Sequence, residues 1–323
     1  MDSHAEQAAK ALASDLASWK SVEIRTRMGI QNKALPAGNS QAFDAVLERY
    51  IETAAGRRLC EHRTLNGDAL DRLSMYYGDG AKFANVDYRR DDPETQQVVF
   101  INRQFWMEDR SDRKQVPPPL LYFYVGREPL HQALPKSTYL GQDKVIGRDC
   151  EIFLFPQVQW MVPQDQVFYL DKTTGVPLKV DAYRDAAARE RNKPLWSWTV
   201  ESLGEVDGHF VPLKSSEVSF DREGVEVMAR QIDVESIAFN KDYPASMFWP
   251  VVQPGVTVID SIANKMSVTP GQPKPELKKE AASTARPTYA DPPRDWSATA
   301  SNVSLVLGGA VLLAGIVLWR RRG

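Results

Sequence analysis

From Val176 to Tyr183 the side chains alternate in character: Val176, Leu178, Val180 and Ala182 fall on one side, Lys179, Asp181 and Tyr183 on the other. A period of two residues belongs to a β-strand with one face buried and one in water, and no helix satisfies it. Leu195 to Ser202 repeats the pattern, with Trp196, Trp198 and Val200 opposed to Ser197, Thr199 and Glu201. Turn-forming clusters separate such runs. Lys172-Thr173-Thr174-Gly175 joins QVFYLD to VPLKVDAY, and Tyr76 to Gly80 joins LSMYY to KFANVDY. Asn102-Arg103-Gln104 would make a further hairpin between residues 97–101 and 105–108. The chain reads as a long antiparallel meander.

Helical spacing is confined to short stretches. Ala5, Ala8, Ala9, Leu12, Leu16 and Trp19 make one apolar stripe at the N-terminus. Glu128 to Leu134 is a second, short candidate that Pro135 stops, and Asp185 to Arg191 a third, exposed one. The expected class is therefore α+β: a strongly curved antiparallel sheet with the N-terminal helix packed on one face. Only two of 323 residues are cysteine, so a disulfide-stapled scaffold is excluded. Residues 1–263 carry 31 Lys and Arg against 38 Asp and Glu, and an acidic body is a poor partner for a phosphate backbone. Nucleic-acid binding is not expected.

Beyond residue 263 the composition changes. Residues 264–302 hold six prolines among Lys, Glu, Ala, Ser and Thr, too little apolar surface to offset the entropy of ordering, so they read as a flexible linker. Its reach would be roughly 35 to 120 Å between coil and polyproline limits. Val303 to Trp319 then reads VSLVLGGAVLLAGIVLW, uncharged throughout. Seventeen helical residues span about 26 Å, close to the hydrocarbon thickness of about 30 Å. Val303, Leu305, Leu307, Leu312, Leu313, Ile316 and Leu318 would face lipid, Trp319 the interface, and Arg320, Arg321 and Arg322 the cytoplasmic leaflet, within a basic tail of residues 320–323. Such an anchor puts the body outside the cytoplasm, as in a single-pass protein of the bacterial inner membrane. Met1 to Ala5 carries no basic or apolar leader, so a signal peptide is expected upstream of this start; a tail-anchored cytoplasmic protein is the competing topology.

Chemistry-bearing motifs are sparse. His4, His62, His131 and His209 stand in no metal-ligand spacing, and no nucleophile elbow or phosphate-cradling loop occurs. His131 reads as a structural or surface residue and His209, after Asp207-Gly208, as a loop histidine. Asp91-Asp92 beside Pro93 reads as a solvated turn. Neither catalysis, a cofactor nor a metal is expected. Cys60 and Cys150 both fall in expected strands; outside the cytoplasm they would either pair or remain two buried thiols. Ile152, Leu154, Val176, Leu178, Val180, Trp196, Trp198 and Val200 form an apolar and aromatic set that lines either a ligand cavity or a filled core.

One stretch goes beyond generic strand pattern. Tyr139 to Arg184 contains YLGQDKVIGRDCEIFLFP followed by VFYLDKTTGVPLKVDAYR. It resembles the unit of LolA-like and RseB-like domains, the outer-membrane lipoprotein-sorting superfamily of bacteria. The resemblance implies a half-open barrel whose concave apolar face is lidded by helices. It makes Gly141 and Gly147 tight-turn residues, Cys150 to Phe155 a central strand and Asp171 to Leu178 a hairpin. Some members carry acylated lipoproteins, and others sense lipoprotein or lipopolysaccharide and regulate envelope stress. The anchor and the segment from Tyr243 to Ile262 depart from the soluble carriers, and no family functional residue transfers position by position. The implied function is binding of a lipid, lipoprotein or other amphiphile on the concave face; the alternative is a regulatory domain that binds a protein and no lipid.

Overall fold

The computed structural model describes residues 3–32, 45–66, 69–90, 92–102, 120, 122–126, 128–158 and 163–270. Residues 303–322, where the membrane anchor is expected, lie outside these, as do residues 103–119 with the second half of the expected third hairpin. Among the described residues no helix is long and apolar enough to cross a membrane.

The chain opens with α1 (Ser3–Ala17) and then runs through β1 (Ser21–Asn32), β2 (Ala45–Thr53), β3 (Arg58–Asn66), β4 (Ala69–Gly78), β5 (Phe83–Tyr88) and β6 (Gln96–Asn102). A small pair, β7 (Tyr124–Val125) and β8 (Glu128–Pro129), leads into α2 (Leu130–Ala133) and a 3-10 turn at Leu134–Lys136. There follow β9 (Thr138–Val145), β10 (Arg148–Val158), β11 (Gln164–Asp171), β12 (Pro177–Tyr183), α3 (Ala186–Glu190), β13 (Trp196–Val206), β14 (His209–Phe220) and β15 (Glu226–Phe239). Two short strands, β16 (Thr257–Asp260) and β17 (Lys265–Val268), end the described chain.

Fifteen of these strands form one curved sheet in the order β17-β16-β6-β5-β4-β3-β2-β1-β15-β14-β13-β12-β11-β10-β9. The first meander leaves β1 in one direction. The second starts at the opposite edge with β9 and returns strand by strand until β15 closes on the free side of β1, pairing Val22 with Phe239 and Asn32 with Met228. Every pairing is antiparallel except β16 with β6. The neighbours of β6 are thus β5 and β16, rather than a following hairpin strand.

α1 lies on the inner face, burying Ala5, Ala8, Ala9 and Leu12 as the spacing required. It rests on the β11–β12 turn, where Gly175 has φ +73° and a built Cβ would sit 3.4 Å from the Ala8 carbonyl oxygen. The pairings Phe153–Phe168–Val180–Trp198 set four large or branched side chains in one row beneath it. Asp185 caps α3 by accepting from the Ala188 amide at 2.8 Å. The outer face has two covers. Ala188 of α3 packs with Ile152, Leu154, Val167 and Tyr183 over β10–β12. At the other end, the segment from Tyr243 onward lays Met247 and Phe248 on Ile51 and Leu59 and brings Trp249, Val252 and Val256 to Val86 and Val99. Reciprocal bonds of 2.9 Å between the amides and side chains of Gln96 and Gln253 tie it down.

Three expectations need correction. Residues 265–268, assigned to the linker, complete the β16–β17 hairpin because Thr269 bonds Val256 and holds the ends together. Cys150 to Phe155 lies in β10, second from the edge rather than central. Gly141, at φ +126°, stands within β9 opposite Ile152, where the register slips, and makes no turn; Gly147 does. Of the two readings left open for Cys60 and Cys150 the second holds: they are separate, buried free thiols in different apolar clusters, and burial pushes both up, Cys150 to about 11.

Candidate functional site

The expected lining residues divide. Val176, Leu178, Val180, Trp198 and Val200 are at most 2% exposed, with Trp196 half-buried beside them, and Tyr122 stacks on Trp198 at 4.1 Å. They make a filled core. Ile152 and Leu154 are on the outer face, because it is Phe153 that faces Phe168 and Val180.

A cavity of about 280 Å³ lies instead on the inner face at the end of α1. Leu16 and Trp19 come from the end of α1 and the turn after it, Val22 from the start of β1, Leu120 and Phe123 from the approach to β7, and Pro129 from β8. Their positions follow from local chemistry. Trp19 is released from the helix at its last turn, whose end the Ser18 hydroxyl closes on the Asp15 carbonyl, and meets Phe123 edge-on at 6.0 Å and Phe239 at 5.0 Å. Phe123 is held by a turn to Leu120 and by the Leu130 amide, which donates to its carbonyl at 2.8 Å.

The opposite wall is polar. Glu52, at the end of β2, accepts from the Tyr50 hydroxyl at 2.8 Å and from Arg58 at 2.7 and 2.8 Å, so its charge is balanced within the wall. Burial, reinforced by the Glu52 charge and opposed by Arg58, pushes the Tyr124 phenol up to about 12, and burial also pushes Tyr50 well above the ordinary phenol value. Both stay neutral at physiological pH. His131 on α2 also lines the cavity, and among the described residues its buried Nδ1 has no hydrogen-bond partner. The space is thus apolar on one side and carries a neutral set of donors and acceptors on the other.

Sequence reasoning missed this site. Its lining is drawn from four stretches, residues 16–22, 52–56, 120–124 and 129–131, and the only signal was Leu16 and Trp19 closing the helical stripe. His209 is likewise no loop residue: it begins β14, is 7% exposed, and lies 3.0 Å from the Trp19 indole nitrogen and 2.8 Å from Asp15. His62 bonds Glu48 at 3.0 Å across β2 and β3, and His4 bonds Glu151 at 2.7 Å while stacking on Tyr139. Among the described residues no three His, Cys, Asp or Glu side chains converge as a metal site would.

No family model and no curated protein matches the chain. Among solved structures it is similar to a LolA superfamily protein from Nitrosomonas europaea, at 10% identity over 76% of this chain and 97% of that one, with a TM-score of 0.45. A DUF1329 family protein from Desulfovibrio piger is similar at 11% identity, 76% and 95% coverage and a TM-score of 0.39. The lipoprotein LppX of Mycobacterium tuberculosis is similar at 9% identity, 76% and 100% coverage and a TM-score of 0.30.

Proposed function

We propose that the body binds an amphiphile, with an apolar chain against Trp19 and Phe123 and a polar head toward Glu52, Tyr124 and His131. The observation that carries this reading is the two-sided lining of the cavity. Apolar surface supplies the driving force, and a few fixed polar groups orient the guest. Its volume is at the lower end of small-molecule sites, about 300–1,000 Å³, which suits part of one acyl chain with a compact head. Binding is by burial and requires no chemistry. The test is displacement of a dansyl-labelled fatty acid from the full chain, together with Ala54→Trp, which places an indole in the cavity from an exposed turn position. Saturable binding weakened at least about tenfold by Ala54→Trp is expected, from roughly 1.4 kcal/mol of lost burial. Absence of saturable binding, or binding indifferent to Ala54→Trp, would reject the reading.

The body is further proposed to be tethered to a bacterial inner membrane by Val303 to Trp319, facing away from the cytoplasm. The uncharged run followed by three arginines supports this. Carbonate-washed membranes should retain the full chain and lose a chain ending at residue 302, and protease added to spheroplasts should remove the body. A body protected from protease would reverse the topology.

A further inference from the structure

His209 stands between two groups that cannot both be satisfied. Its Nδ1 lies 3.0 Å from Trp19 Nε1, which can only donate, and 2.8 Å from Asp15 Oδ1, a carboxylate oxygen that can only accept. A neutral ring protonated on Nε2 accepts from Trp19 and leaves Asp15 without a partner. A ring with a proton on Nδ1 donates to Asp15 instead and leaves the indole N–H without an acceptor; the neutral ring is so only in its other tautomer, the charged ring always. Without His209 the Asp15 carboxylate would have neither oxygen bonded to a side chain, since among the described residues its Oδ2 is buried without a hydrogen-bond partner. Among the described residues no other carboxylate is within ion-pair distance of His209. Glu205 and Asp207, its charged neighbours on β13 and the following turn, are exposed, and β15 presents Phe239, whose ring is 4.4 Å away.

Trp19 is also a wall of the cavity, so this choice reaches the site. We propose that His209 is a pH-operated latch on the cavity: in its neutral form it holds the Trp19 indole in the wall, and on protonation it turns to Asp15 and frees the indole, weakening retention of the guest. The proposal rests on the amphiphile reading for its consequence, but not for the exchange of partners itself. Glu52, Tyr124 and His131 face Trp19 from the other walls, so a pH effect has to be traced to His209 by substitution.

The experiment uses the full chain labelled with ¹⁵N at the indole nitrogens, Trp19 being assigned by Trp19→Phe. Between about pH 8 and 5, where histidine titrates, the Trp19 N–H resonance should shift in a single step. His209→Asn, which keeps an acceptor near the Nδ1 position and cannot be protonated there, should abolish the step. Asp15→Asn removes the partner of the protonated form and should move the step to lower pH. In parallel, the Kd of N-phenyl-1-naphthylamine, uncharged over this range, should rise about fivefold toward acid, the equivalent of one hydrogen bond, and stay constant in His209→Asn. A Trp19 resonance that does not move, or that moves equally in His209→Asn, overturns the latch. A step with unchanged probe affinity overturns its control of the cavity. No probe binding at any pH overturns the cavity reading and that control together, while the resonance step still decides the exchange of partners.

Discussion

At the scale of single residues, Asp171 shows how much one carboxylate can organise. It is 2% exposed, takes Arg148 on both oxygens, and accepts from the Thr173 and Thr174 amides and the Thr174 hydroxyl, fixing the turn on which α1 rests. Burial works to raise its pKa, but the Arg148 hydrogen bond, the Thr174 bonds and the Arg148 charge together hold it below the ordinary carboxylate value. A depressed value means that this stabilisation is complete above about pH 3.9, the ordinary value, and is lost as pH falls through the folded one. Asp171→Asn should therefore cost about 2 kcal/mol at neutral pH, less than a fully buried pair because Arg148 is partly exposed, and should flatten the acid limb of urea-unfolding curves. Gly175 was legible as a turn residue; its closeness to α1 was not, because nothing local encodes a contact with residue 8. Gly175→Ala and Gly147→Ala should each cost about 1 kcal/mol for the backbone conformation alone. Gly175→Leu should cost at least about 2 kcal/mol more than Gly147→Leu, since atoms beyond Cβ enter the helix backbone at one site and open space at the other. Equal midpoints for the two leucine variants would remove the helix contact.

Among the elements, alternation located strands well but not always their faces. In β12 it was decisive, and Leu178, fully buried, lies where the pattern put it. In β10 the run Ile152-Phe153-Leu154-Phe155 is apolar on both sides because both faces are covered, so the period carried no information and the inner face went to the wrong pair. The same double covering alters an expectation about substitutions. Leu178→Asp should still cost several kcal/mol for a buried unpaired charge. By strand pattern alone, Lys179→Asp would be tolerated within about 0.5 kcal/mol. Yet Lys179 is half-buried, with its Nζ 2.8 Å from the buried carboxylate of Asp181 and 4.8 Å from the Tyr169 ring centroid. Its replacement by aspartate sets two carboxylates together and should cost about 2 kcal/mol. A thermal midpoint equal to that of the unaltered chain would show that the pair contributes nothing.

Over the whole molecule, the class and the hairpin order were readable, because neighbours in sequence are neighbours in the sheet through most of both meanders. The closure of β15 on β1 and the parallel placement of β16 beside β6 were not, since each joins segments more than a hundred residues apart without a local signature. Protection should follow this layout. Amides of β1, paired on both sides, should exchange slowest with solvent, and those of β17, exposed along its whole length, fastest. Exchange in β17 as slow as in β1 would contradict the sheet order.

For a chain synthesised without export, as in a cell-free system, the closure of the sheet also sets an order of events at the ribosome. β1 is among the first strands made, and β2 soon reaches one of its edges, but the other edge waits for β15, about 200 residues later. At roughly 5–20 residues per second that is a delay on the order of 10 s or more, with a strand edge unpaired and α1 lacking the turn it rests on. Ribosome-bound chains stopped before Glu226 should be cut by protease within β1, and chains carried well past Phe239 should resist. The earliest strand of this protein is thus among the last to be finished, and any chain released before then carries an open edge toward its neighbours.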